Sequence, residues 1–447
     1  MTNKHKSPAV SVSFVLAAIA ILLFAVSFIV GPELVWRASL GLVVLALILP
    51  HTKIIELALR LLWLVRIEPP ATDLLMAMGI AKAALLGKRV NRVKVGHPVW
   101  FLVVFVLLSV LQIVWSPDIP RAVFYAAITA YTMLVLPMVF WQVNRFFKDE
   151  NWKEALIFAI DLTAIALLIA GIAAMVGLAG HFPWLYHTQS RGRAFFKDVN
   201  VAGPFVVFGA LQLLTWMMVA GRFSVATVSR LAVYTAAIAF TFSRGALLNY
   251  IVGILVIGAV TVIRKRGWRF TLFILLSIGF GIYFFPNLIN VFGQQRVASI
   301  NTYDTEGRFA AWKSGFLMFV EQPWGIGPGQ FEVVSPDYQR RYIGNADITP
   351  SAHNMYIRML AENGVIGIVL YITAIMGVLL GLVRVMKASA TGSTCFINAT
   401  WLLAVLMGIL AEGAVIDVLH WRHFGIALGL SLYYVGVCRA KGGGVRV

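Results

Sequence analysis

The chain has 447 residues, of which 60% are hydrophobic and only 13% charged, and its formal net charge is +18. An ordinary soluble domain carries about twice that share of charged residues, so a water-soluble enzyme is excluded as the organising description. Most lysines and arginines fall in short links between apolar runs, which is the topological bias of multi-pass membrane proteins and not a nucleic-acid-binding surface.

Met1–Ser7 is short and basic, and the apolar run after it has no small-residue cleavage site, so a retained first helix is expected. Apolar runs lie near 12–30, 34–50, 99–115, 121–141, 155–177, 200–220, 231–242, 245–263, 270–286, 364–384, 395–411 and 423–438. A bilayer core about 30 Å thick needs roughly 20 such residues per helix. Backbone groups in lipid must be satisfied internally, and the runs are too long for the strands of an outer-membrane barrel. The expectation is an all-α polytopic membrane protein of about twelve transmembrane helices, with residues 1–447 as one domain. The stretch 51–98 mixes apolar segments with Arg60, Arg66, Lys82, Lys88, Arg89, Arg92 and Lys94. It either adds two short crossings or lies along the cytoplasmic interface.

With Lys4 and Lys6 inside, the basic segments 144–153, 221–230, 264–269 and 384–387 and the tail all fall inside. The segments 116–120, 178–199, 287–363 and 412–422 then face out. The largest, 287–363, holds five basic and six acidic residues up to His353, unlike the basic links. A long loop of this kind usually carries function. Within it Ala310–Glu321 reads as a helix with Trp312, Phe316 and Phe319 or Val320 on one face, fit to lie on a membrane surface, to cap a cavity, or simply to pack on the bundle.

Three outward segments hold candidate chemistry. Ser190–Asn200 places Arg191 and Arg193 around a glycine, and guanidinium forks match diphosphate oxygens. Asp198 and Asn200 are placed to cap the next helix and to hold those arginines. The competing reading is interfacial anchoring by snorkelling side chains. In Ser243-Arg244-Gly245, an arginine near membrane depth is a functional candidate, or else a salt-bridge or cap residue. In Pro350–Gly367, Ser351 reads as a helix cap and His353 as a first-turn residue. A helix N-terminus disfavours an imidazolium, and a neutral imidazole can take a proton from a hydroxyl near pH 7. Arg358 and Glu362 are spaced to pair along that helix.

Gly325–Gly329 lacks the lysine and the strand–helix context of a phosphate loop and reads as a rigid turn. Arg308, beside Asp304 and Glu306, is placed to contact a sugar or to form loop ion pairs; Arg341, Asn354 and Tyr356 are further substrate-contact candidates. No residue set has metal-ligand spacing, so no metal and no cofactor are expected. Gly377 and Gly381 form a small-residue pair suited to helix contact. Cys395 and Cys438 form no recognisable disulfide framework.

These residues resemble the O-antigen ligase and O-antigen polymerase superfamily of bacterial membrane glycosyltransferases. Its ligase motif, His, then Asn, Ser or Gln, nine residues, Gly, two residues and Gly, Thr or Tyr, is matched by His353-Asn354, Gly364 and Gly367. Gly307-Arg308…Trp312, Pro323–Phe331, Ser243-Arg244-Gly245 and Arg193…Phe196…Asp198-Val-Asn200 also look like family signatures, although the last has Val where Pro is usual. The resemblance implies an undecaprenyl diphosphate-linked glycan donor on the periplasmic face of the inner membrane. The acceptor it implies is lipid A–core for a ligase, or another lipid-linked glycan for a polymerase. It implies inversion without a metal, His353 activating the acceptor hydroxyl, Arg191, Arg193 and Arg244 holding the diphosphate, and the large loop covering the site. A lipid-linked sugar transporter and a protein oligosaccharyltransferase are the rival readings.

Overall fold

The computed structural model describes residues 12–85, 97–141, 151–188, 191–264, 267–268, 302–343 and 348–442. The predicted run 270–286 and the loop stretch 287–301 lie outside the described residues. What is described is helical apart from one short strand pair, β1 (Tyr186–Thr188) with β2 (Arg191–Gly192), antiparallel. Among the described residues eight helices are long and apolar enough to cross a membrane: Val12–Val30, Pro98–Trp115, Ile119–Trp141, Trp152–Met175, Val199–Met218, Arg244–Ile263, Met355–Ala388 and Thr394–Glu412. The run near 231–242 forms the shorter apolar helix Val225–Phe240, and the run near 34–50 forms only Pro32–Leu45 before a 3-10 turn.

The chain divides into two compact units. The first comprises residues up to Arg92, Val143–Gly209 and Ala232–Ser243. It contains α1 (Val12–Val30), α2 (Pro32–Leu45), α3 (His51–Arg60), α4 (Ala71–Leu85), α8 (Asn151–Met175), the start of α9 (Val199–Met218) and the end of α10 (Val225–Phe240). The ambiguous stretch 51–98 thus begins as a pair of short helices, α3 and α4, joined by a turn at 61–70. The core of this unit includes edge-to-face rings of Phe24, Trp63 and Phe195, with centroids 5.2–5.9 Å apart. The buried Glu56 is compensated by Lys53 at 2.7 Å and Arg60 at 3.0 Å, as a buried charge requires.

The second unit holds α5 (His97–Leu111), α6 (Ile119–Ala130), α7 (Leu136–Trp141), the end of α9, α11 (Arg244–Ile263) and α12 (Thr302–Glu321). It continues with α13 (Phe331–Ile343), α14 (Met355–Ala388), α15 (Thr394–Glu412) and α16 (Arg422–Gly442). Small residues let its helices approach. A Cβ on Gly377 would lie 2.7 Å from Pro98 of α5, and one on Gly381 would lie 3.1 Å from Val435 of α16, which is the helix-contact role expected of that pair. The absence of a disulfide framework is corrected. Cys395 and Cys438, 43 residues apart on α15 and α16, are joined with Cα atoms 5.9 Å apart. Packing of two helices set that pairing, and sequence spacing carries no trace of it.

The described part of the polar stretch before His353 contains two helices and the turn between them. The helix expected at Ala310–Glu321 begins earlier, at Thr302. Its buried side is made of small residues and methionine (Ala311, Ser314, Met318), packed with Ile326, Phe331, Ala352 and Ala361. Of the predicted face Phe316 and Val320 stay exposed, as do Phe309 and Trp324, whereas Trp312 is half-buried and donates its indole N–H to Ala352 O at 2.8 Å, so the expected stripe is met only in part.

Candidate functional site

In the first unit the segment after β2 is built to hold arginines. Phe195 is buried in the ring cluster with Phe24 and Trp63. Its carbonyl accepts from Val65 N (3.2 Å), and Arg193 N donates to Leu185 O (2.8 Å). Asp198 caps α9 as expected, accepting from Asn200 N at 2.9 Å. Asn200 Oδ1 then accepts from Ser243 Oγ at 2.7 Å and from Arg191 Nη2 at 3.5 Å. The predicted cap is thus formed by Asp198, and the predicted hold on the arginines reaches Arg191 through Asn200.

This segment also recruits a residue the sequence did not single out. The turn at 61–70 lies against it, with Arg66 Nη1 donating to Trp184 O. Burial, and then the charge of Arg193, lower the Arg66 guanidinium below its ordinary range, with Glu33 opposing. Burial likewise lowers Arg193 against Asp198. The buried Nε of Arg193 has no hydrogen-bond partner among the described residues. Like charges drawn together, partly dehydrated and with a spare donor, are an arrangement that an anion would relieve.

In the second unit His353 lies elsewhere than expected. Ser351 is not the cap of α14. Asn354 is, its Oδ1 accepting from Tyr356 N (3.0 Å) and Ile357 N (3.1 Å). Ser and Asn are both good caps; Asn354 has the extra partner, since its Nδ2 donates to Ala414 O at 3.0 Å. His353 therefore precedes the helix, half-buried, with φ +44°. Both sides of it are pinned: Trp312 Nε1 donates to Ala352 O (2.8 Å), and Met355 N to Gly413 O (2.8 Å). Tyr356 donates its hydroxyl to Leu410 O (2.7 Å), so Asn354 and Tyr356 both spend polar atoms on holding the backbone.

The turn that follows Glu412 gathers several candidates. Asn354 reaches Ala414 O, and Arg308 Nη1 reaches Val415 O at 3.4 Å. Glu412 itself packs on Gly245, where a Cβ would lie 2.8 Å from Oε1, and accepts from Asn249 at 2.8 Å. Gly245 follows Arg244, the exposed first residue of α11. Gly245, Arg308, Asn354 and Met355 thus all contact Glu412–Val415, next in sequence to Arg244 and His353. Arg341 is exposed on α13.

Below this turn Arg358 forms the predicted pair with Glu362 (3.1 Å) and adds Asp417 (2.7 Å) and Glu332 (3.8 Å). Arg121 pairs with Glu332 as well, and the two guanidinium groups lie over the Tyr125 ring, 5.1 and 5.0 Å from its centre. Burial would raise the Asp417 carboxyl, but Arg358 and the Leu419 N–H outweigh it and hold Asp417 below its usual range. Burial pushes the His420 imidazole down to about 4, against the pull of Asp417. Its Nε2 lies 2.9 Å from Thr129 Oγ1.

The motif glycine Gly364 interrupts α14 with φ +67° and ψ −170°, a backbone region open essentially to glycine alone. The break turns two helix carbonyls outward. Ala361 O accepts from Ile326 N and Glu362 O from Gly327 N, each at 3.0 Å. Glu362 also accepts from Gly329 N and Phe331 N at 2.9 and 3.0 Å. Gly325–Gly329 is therefore the rigid turn expected of it, strapped onto the kink.

Among the described residues three non-glycine residues have positive φ: Ala194, Phe242 and His353. Each lies within or beside one of the three segments chosen from sequence. Backbone strain of that kind persists where the surroundings enforce it, and it clusters at functional sites. Residues 229–372 match the O-antigen ligase family. The match covers about a third of the chain and contains His353, Asn354, Gly364, Gly367 and Arg244. It supports the O-antigen ligase/polymerase superfamily, membrane proteins that act on lipid-linked glycans. None of the curated proteins compared with the chain matches it.

Proposed function

We propose that this O-antigen ligase-type chain transfers a glycan from undecaprenyl diphosphate to an acceptor hydroxyl. In this reading the acceptor is lipid A–core, the site faces the periplasm, and the chain crosses the inner membrane about twelve times. The observation that carries the proposal is the complete His353-Asn354…Gly364…Gly367 motif, with a strained histidine in front of a capped and kinked helix.

The chemistry needs little covalent help. His353 takes the proton of the acceptor hydroxyl as its oxygen bonds to the anomeric carbon. The bond from that carbon to the diphosphate oxygen breaks, and the diphosphate leaves with the electron pair, inverting the centre. Arg191 and Arg193, with Arg66 added to them, stabilise the charge that grows on the diphosphate; Arg244 and Arg308 orient the reactants beside His353. Positioning and fixed positive charge lower such a barrier without a metal.

The deciding experiment is deletion of the gene, followed by gel analysis of lipopolysaccharide. Polymer left on the lipid carrier is the expected result. Single repeat units capped on core mean a polymerase instead, and unchanged lipopolysaccharide sinks both.

A further inference from the structure

At the end of the second unit away from His353, α5, α7, α14 and α16 enclose a cavity of about 590 Å³. Its walls carry two stripes of the same design. On α14, Ile372, Met376 and Leu380 recur every fourth residue and are each about half exposed, and the next position in the series is Arg384. On α16, Leu432, Val435 and Gly436 share a face with Arg439. Residues spaced three and four apart stack along one side of a helix. Each apolar stripe therefore ends in an arginine, and both end at the same mouth.

From Ile372 to Arg384 the stripe is about 18 Å long, close to the roughly 15 Å of hydrocarbon in one leaflet. Among the described residues neither arginine has a hydrogen bond or ion pair, and the described lining contains no carboxylate. Trp141 lines the same space, and its indole N–H also lacks a partner among the described residues. Gly436 keeps the space beside it open: a Cβ there would lie 3.9 Å from Trp141 Nε1. One snorkelling arginine would need only water; two at one mouth, over a chain-length apolar groove and beside a spare donor, fit a single amphiphile of opposite charge.

We infer that this groove binds an anionic phospholipid, with an acyl chain along the two stripes, the phosphate at Arg384 and Arg439, and Trp141 donating to the headgroup or ester region. The site is separate from the glycan-transfer reading and does not depend on it.

The test uses the full chain, purified in detergent, delipidated and mixed with equal amounts of phosphatidylglycerol and phosphatidylcholine, with bound lipid read by native mass spectrometry. Two cations near an anionic headgroup predict a preference of roughly 30-fold for phosphatidylglycerol. The double variant Arg384→Gln/Arg439→Gln is expected to retain both lipids equally. Gly436→Leu, which fills the groove and keeps both charges, is expected to lower retention of both lipids. Equal retention by the unaltered chain overturns the inference. So does unaltered preference in the double variant, or full retention in Gly436→Leu; if the double variant does not fold, the unaltered chain and Gly436→Leu decide.

Discussion

His353 is held in a conformation that its own backbone disfavours, and that makes its role separable from stability. Glycine takes φ +44° without the steric cost a Cβ imposes. His353→Gly is therefore expected to keep or slightly raise the melting temperature while lowering glycan transfer about 100-fold or more, the usual scale for a lost general base. A variant that melts early, or one that still transfers, contradicts the assignment. Arg66→Ala and Arg193→Ala are expected to weaken donor use to similar extents in transfer assays with varied donor; an unaffected Arg66→Ala would limit the anion site to Arg191 and Arg193. His420 has a different part. Its folded pKa of about 4 lies below the unfolded value of 6.5. Its contribution to stability is present above pH 6.5 and is lost as pH falls toward 4, about 3 kcal/mol in all. Thermal unfolding across that range should show a steeper acid decline than in His420→Gln.

At the scale of elements, the kink at Gly364 does the organising. Gly364→Ala would place a Cβ against the Pro323 carbonyl in a backbone region closed to alanine. The expected cost is about 3 kcal/mol or more, read as a fall in melting temperature with loss of activity. The helices themselves were legible, because long apolar runs leave the backbone few choices in lipid. The Arg358–Glu362 pair and the turn at Gly325–Gly329 were legible because their partners are local or their glycines diagnostic. The cap was misplaced by three residues because Ser351 and Asn354 have similar propensities, and Ala414, far along the chain, decides between them. Arg66 was missed for the same reason: it meets Trp184 and the charge of Arg193 only through the fold.

At the scale of the molecule, the proposed orientation puts the Cys395–Cys438 end in the cytosol, where thiols are kept reduced. A Cα separation of 5.9 Å keeps the two sulfurs within bonding reach once that reduction stops. Maleimide tagging of acid-quenched cells is expected to find both thiols, and tagging after aerobic purification neither. If acid-quenched cells already lack both thiols, that end faces an oxidising compartment and the orientation is reversed.

The strap at Gly364 also explains why the motif counts residues. Asn354 is fastened at one end of the first helical stretch, and Gly364 is clamped at the other. Adding or removing one residue between them would turn one end against the other by about 100° and swing Arg358 away from Asp417. A gap of nine is thus a phase setting for the histidine, and substitutions inside it should be tolerated far better than a single insertion.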